Sequence, residues 1–186
     1  MSKKKLADHL FDRIQETGVK HTFGIPGDFI LPFYAAQSKR DLSTIVMTHE
    51  PSVGYAADAY GRLKGLGLAL VTYGAGGRNM VNPVGWAYAE ESPLLVISGG
   101  PETRFRSHKP QLHHCVKNFN TQRNVFNEVC ESVTILDNAA TARDEIDRVF
   151  DTTITSSKPG YIEIPRDMVN LEVHAPEQSK AKVQVE

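Results

Sequence analysis

Cysteine is scarce in this chain. Only Cys115 and Cys130 occur, with no CxxC pair. That excludes a disulfide framework and suits a reducing compartment. Long hydrophobic runs are missing too: Leu68 to Val71 and Leu94 to Ile97 are far too short to span a bilayer. Neither sign of charge dominates, since 21 Lys and Arg stand against 22 Asp and Glu, for a net charge of −1. No basic stripe marks a nucleic-acid or membrane surface. The opening MSKKKLADHLF is basic but has no apolar signal core. A cytoplasmic protein is expected, with no nucleic-acid partner and no membrane.

What is present suits a folded domain. Hydrophobic residues make up 40% and charged residues 23% of the 186 positions, which excludes a disordered polyelectrolyte. A chain of this length buries about 70% of its extended surface and needs no staples. One domain is expected over residues 1–171. Residues 172–186, polar and aperiodic, read as a linker or tail.

Apolar periods alternate along the sequence. Leu6, Leu10, Phe11 and Ile14 predict a helix over 4–16, stopped by Gly18. Further helices are predicted over 29–37, 51–64, 83–90, 119–127 and 140–154, with Asn82 as the cap of the third of these and Pro83 at its first position. Six short strands are predicted at 21–23, 43–47, 67–72, 94–98, 132–136 and 160–164. Gly74 to Gly77 read as a glycine turn, and 100–117 as a long loop without period. Two-sided apolar strands alternating with helices predict an α/β fold. It is a doubly wound, six-stranded, mostly parallel sheet with helices on both faces. Ligands of such sheets gather at the carboxyl ends of the strands. Asp28, His49, Glu50 and Gly74 all fall just after predicted strands.

Each candidate has two readings. Glu50 opens a helix, where a carboxylate complements the dipole; it is also placed to meet a ligand at the sheet edge. Gly74-Ala75-Gly76-Gly77 before a helix is a place for a phosphate, yet it matches neither GxGxxG nor a P-loop; the better reading is a turn that lets the backbone approach something closely. His108, His113, His114 and Cys115 cluster in the long loop. Adjacent histidines rarely converge on one ion, so no metal site is assigned. Asp28 with two histidines makes a better proton relay, and incidental loop histidines are the alternative.

Taken in order, these segments resemble a known family. They are Gly24-Ile25-Pro26-Gly27-Asp28-Phe29, His49-Glu50, Ala56-Ala57-Asp58-Ala59-Tyr60-Gly61-Arg62 and Thr72-Tyr73-Gly74-Ala75-Gly76. Tyr88-Ala89-Glu90, Pro93 to Gly99, His113-His114 and Pro159 to Asp167 continue the series. Over about residues 4–170 the chain resembles the amino-terminal pyrimidine-binding domain of thiamine diphosphate enzymes. The aspartate in Pro26-Gly27-Asp28 and the histidine pair are most similar to the pyruvate and indolepyruvate decarboxylase branch. Arg78, Pro83 and Trp86 depart from that branch, and Asn79 to Val81 look more like acetolactate synthases.

The resemblance implies a cofactor and roles. The residue matching Glu50 hydrogen-bonds a nitrogen of the aminopyrimidine and promotes loss of the thiazolium proton. A 2-keto acid is then attacked and loses carbon dioxide. Pro26, Thr72 and Asn82 match positions lining the pyrimidine pocket. Asp28, His113 and His114 match the polar cluster over the reacting carbon. The family holds the diphosphate and Mg²⁺ through a Gly-Asp-Gly motif and a later asparagine. This chain has no such motif, so that site is expected on a missing domain or partner. The resemblance therefore implies half an active site, inactive alone and homo-oligomeric with its partners. It is either a domain of a longer decarboxylase or the small subunit of a split decarboxylase or synthase-like carboligase. A non-catalytic regulatory or binding module of the same fold is the third reading.

Overall fold

The structure is a computed structural model that describes residues 3–108 and 110–174. Its chain order is β1 (Lys3–Lys5), α1 (Leu6–Glu16), β2 (His21–Gly24), α2 (Leu31–Gln37), β3 (Ser43–Val46), α3 (Glu50–Lys64), β4 (Gly67–Val71) and α4 (Ala75–Asn79). Then come α5 (Val81–Ala89), β5 (Leu94–Gly100), α6 (Arg104–His108), α7 (Thr121–Asn127), β6 (Ser132–Ile135), α8 (Ala142–Ser156), β7 (Gly160–Pro165) and β8 (Glu172–His174).

Six strands form one sheet in the order β3-β2-β4-β5-β7-β6. Every neighbouring pair is parallel. Parallel strands need crossovers, and the helices between them supply these and cover both faces. Alternation along β4 and β5 divides the core. Leu68, Leu70, Leu95 and Ile97 face α1, α2 and α8, where Leu10, Phe11, Phe33, Ile146 and Phe150 are buried. Ala69, Val71, Leu94 and Val96 face α3, α5 and α7, where Val53, Ala57, Val84 and Phe126 are buried. The doubly wound α/β sheet predicted from the sequence is the sheet observed.

The strand order fixes where a ligand site belongs. The chain runs from β2 to β3 at one edge, then crosses back to β4 on the other side of β2. Adjacent connections therefore diverge between the carboxyl ends of β2 and β4. Such a switch point opens a crevice.

Several local expectations are corrected. The first helix starts at Leu6 rather than at residue 4, because the backbone of Lys3–Lys5 pairs antiparallel with Glu172–His174. Thus the first three residues of the expected 172–186 segment form β8; residues 175–186 lie outside the described ones. Asn82 does not cap α5. That helix starts at Val81 behind Met80, and Asn82 lies in its first turn. The glycine turn runs on into α4, and the aperiodic loop after β5 contains α6. No helix among the described residues is long and apolar enough to cross a membrane.

Candidate active site

The turn after β2 carries Pro26, Gly27 and Asp28. It lies against the end of β4 because residue 27 has no side chain: a Cβ there would fall 2.5 Å from the Cβ of Thr72. Close approach brings polar groups together. Thr72 Oγ1 donates to Asp28 Oδ1 at 3.4 Å and accepts the Phe29 amide at 3.4 Å. Across the cleft, His113 Nε2 lies 2.7 Å from Asp28 Oδ2. The His113 ring stacks on Phe29 at 5.0 Å and meets His114 edge-on at 4.8 Å. Asp28 and His113 are about half exposed, at 47% and 56% of their side-chain area. An accessible carboxylate–imidazole pair is placed to pass a proton to or from a bound ligand.

Glu50 approaches from another element. It is the first residue of α3, with Pro51 behind it, and its charge complements the positive end of that helix. Asn79 Nδ2 donates to its Oε2 at 3.3 Å. Its other oxygen faces the backbone of Gly76, where a Cβ would lie 3.2 Å from Oε1 and 3.1 Å from Thr72 Cγ2. Glu50 and Thr72 thus border one small space that a side chain at residue 76 would fill.

The glycine segment does not cradle an anion. The Gly74 amide donates to Gln122 Oε1 at 2.7 Å, the Gly77 amide to the Thr72 carbonyl and the Arg78 amide to the Gly74 carbonyl. Gly74, at φ +80°, is instead a close-approach point: a Cβ there would meet the Cβ of His114 at 2.2 Å. Arg78 Nη1 donates to the His114 carbonyl at 3.1 Å, which ties the histidine loop to α4. His114 itself has φ +65°, a left-handed backbone that these contacts hold in place.

The structure gathers Asp28, Thr72, His113, His114 and Glu50 around the crevice between β2 and β4. Pro26 is exposed at its lip. Asn82 is turned aside, donating to the Tyr55 hydroxyl at 3.3 Å. It lines a shallow depression with His49, Asn79 and Trp86. His108 is not part of the cluster; it bonds Ser107 and the Arg104 carbonyl. Among the described residues, no three His, Cys, Asp or Glu side chains converge on a metal position. Sequence reasoning missed Asn79 and Gln122, which contact the site. It also missed Glu163, fully buried beneath it. One signal was available for the last: a carboxylate in the middle of the apolar strand Tyr161-Ile162-Glu163-Ile164.

Comparison of the sequence with known proteins points to one family. A family model described as "Thiamine pyrophosphate enzyme, N-terminal TPP binding domain" matches residues 4–124. An indole-3-pyruvate decarboxylase from Azospirillum brasilense is 47% identical over 171 residues, covering 91% of this chain and 31% of that protein. An alpha-keto-acid decarboxylase from Mycobacterium avium is 35% identical over 177 residues, covering 92% and 31%. A pyruvate decarboxylase from Aspergillus parasiticus is 35% identical over 168 residues, covering 88% and 29%. The chain spans about a third of the length of these relatives.

Proposed function

The chain belongs to the family of thiamine pyrophosphate enzyme N-terminal TPP binding domains, and from that premise we propose that it serves a 2-keto acid decarboxylase. In this reading residues 1–171, with the strand 172–174 that pairs with β1, are the pyrimidine-binding domain. The observation that carries the reading is the joint placement of Glu50, Thr72 and the Asp28–His113 pair at the switch point of the sheet.

The residues fit the pyrimidine end of the cofactor. A half-buried carboxylate faces a space that glycine at residue 76 keeps open, with Thr72 on its far side. Glu50 would hold a proton against a ring nitrogen there, and Asn79 fixes its orientation. Pro26 and Thr72 would line the ring, while Asn82, bonded to Tyr55, stands away from it. When bound, thiamine diphosphate supplies the electron sink that cleavage of a 2-keto acid needs. Asp28, His113 and His114 would hold and move protons above the reacting carbon. Their exposure gives substrate a way in. We assign the diphosphate and its Mg²⁺ to the missing central and carboxyl-terminal domains or to a partner subunit, which supply oxygen ligands of the kind Mg²⁺ requires. The isolated chain would then be inactive. Trp86 and Tyr55, 51% and 41% exposed, give α5 and α3 an outer face on which such a domain or a second copy would dock.

The test is an assay of the complete protein with thiamine diphosphate and Mg²⁺ on pyruvate, phenylpyruvate and indolepyruvate. Carbon dioxide and the matching aldehyde are expected. Acetolactate as the product would replace this reading with a carboligase, and no turnover of any 2-keto acid would replace it with a binding module.

A further inference from the structure

Beneath the Gly74 turn lies a polar chain that the function above leaves unused. Gln122, Ser98 and Glu163 have no exposed surface, and Tyr161 is equally buried. Gln122 Oε1 accepts the Gly74 amide at 2.7 Å. Its Nε2 donates to Tyr161 Oη at 2.7 Å and to Ser98 Oγ at 3.0 Å. Tyr161 then donates to Glu163 Oε2 at 3.0 Å, and Arg106 Nη2 donates to Glu163 Oε1 at 3.0 Å. The backbone N–H of Gly74 fixes the direction of the chain. A flipped Gln122 would set an amide NH₂ against that N–H, so Oε1 must face Gly74 and the donors must run toward Glu163.

Resting on the decarboxylase reading, we propose that Gln122 is a positioning residue: with Tyr161 and Glu163 it holds the Gly74 turn, and so sets α4 against Glu50 and His114 against His113. The turn has little freedom on either side. A Cβ at Gly77 would lie 2.6 Å from both amide atoms of Gln122, and one at Gly74 would lie 2.2 Å from the Cβ of His114. Any loosening at Gln122 therefore reaches the loop bearing His114. It also reaches the helix from which Asn79 orients Glu50. A core built for stability alone would fill this volume with apolar side chains, since a buried carboxylate is costly.

Charge sets the strength of the chain. A negative Glu163 draws the Tyr161 proton toward itself, which makes Tyr161 Oη a better acceptor and Gln122 Oε1 in turn a firmer one. Arg106 from α6, Arg123 from α7, Asp137 after β6, Tyr161 on the same strand and Tyr73 after β4 are the ionisable groups that face it. Burial, opposed by Arg106, pushes the Glu163 carboxyl up to about 7. The hold on Gly74 should therefore tighten as pH rises through neutrality.

Hydrogen exchange in the full chain, resolved at Gly74 to Asn79 and referred to Ile97 in the core of the sheet, tests this without cofactor. In the wild type, relative protection of the Gly74 amide rises from pH 6 to pH 8. In Tyr161→Phe and Glu163→Gln that rise disappears, and in Gln122→Met protection drops on the order of 10-fold with Ile97 unchanged. In the complete enzyme, Tyr161→Phe lowers kcat on the order of 10-fold with little change in KM, as a displaced reacting group would. A pH-independent Gly74 amide in the wild type overturns the proposal. So does a loosened turn with unaltered kcat in an active decarboxylase. If no 2-keto acid is turned over by the wild type, the decarboxylase reading fails separately, and the exchange data still decide whether the chain holds the turn.

Discussion

Glu50 and the histidine pair occupy different sides of the crevice, and that separation predicts different kinetic defects. In the complete enzyme, Glu50→Gln should slow hydrogen–deuterium exchange at the thiazolium carbon and turnover together, by about 10²–10⁴-fold as for other acid–base groups. His113→Ala and His114→Ala should lower turnover while leaving that exchange within a few fold of wild type. Wild-type exchange in Glu50→Gln, or its loss in both histidine variants, reverses the assignment. Glu163 gives a second prediction at this scale. Burial raises its carboxyl from 4.5 to about 7. Between those values the folded chain keeps a proton that the unfolded chain has released. Its contribution is complete below the window and is lost as pH rises through it, at no more than about 1.4 kcal/mol per pH unit. Urea titrations at pH 5 and pH 8 should show the wild type losing stability and Glu163→Gln losing less. Asp28 and Glu50 were legible in the sequence because each falls just after a strand, and His113 because it stands beside a second histidine in the loop after β5. Gln122 was not, since an amide in a short helix carries no local mark of a partner 48 residues away.

Helices and strands differed in how openly the sequence announced them. α1 and α8 were plain from apolar residues at helical spacing, with Ile146, Val149, Phe150 and Thr153 buried along α8. β4, β5 and β7 were plain as short apolar runs, buried throughout. α6 buries no residue at all, so it had no period to detect. α4 was read only as a turn because glycines dominate its first half. Their use is to let Thr72, Glu50 and Gln122 approach the backbone, a tertiary reason that no window of sequence contains. Gly74→Ala tests how much that approach matters. A methyl group there meets His114 and a positive φ at once. A loss of about 1–3 kcal/mol is expected, with His114 displaced. Thermal melting measures the first, and the imidazole resonances of His113 and His114 report the second. An unchanged melting temperature with unchanged resonances would show that the turn yields freely.

The whole molecule presents a crevice with the half-exposed Asp28 and His113 at its mouth, and the proposed function puts the diphosphate site outside this chain. Calorimetric titration of this chain with thiamine diphosphate and Mg²⁺ should give little or no heat; micromolar binding, about −8 kcal/mol, would mean that the chain holds the diphosphate by itself. Global architecture was the most legible level. Six apolar strands alternating with helices leave few arrangements that bury both faces of a sheet. The small antiparallel pair escaped notice because Lys3–Lys5 has no apolar residue, Glu172–His174 has only Val173, and the two lie far apart in the sequence. That pair has a mechanical consequence. Lys3 lies opposite His174, so the outer ends of both strands leave the pair at the same edge. Tension applied through the two termini of the domain would load these few bonds one after another, as a zipper, rather than all at once in shear. Pulled in an optical trap, the domain should therefore yield first at low force, by a short extension that frees β1 and β8. The six-stranded sheet, with its crevice intact, should break only in a later and larger step.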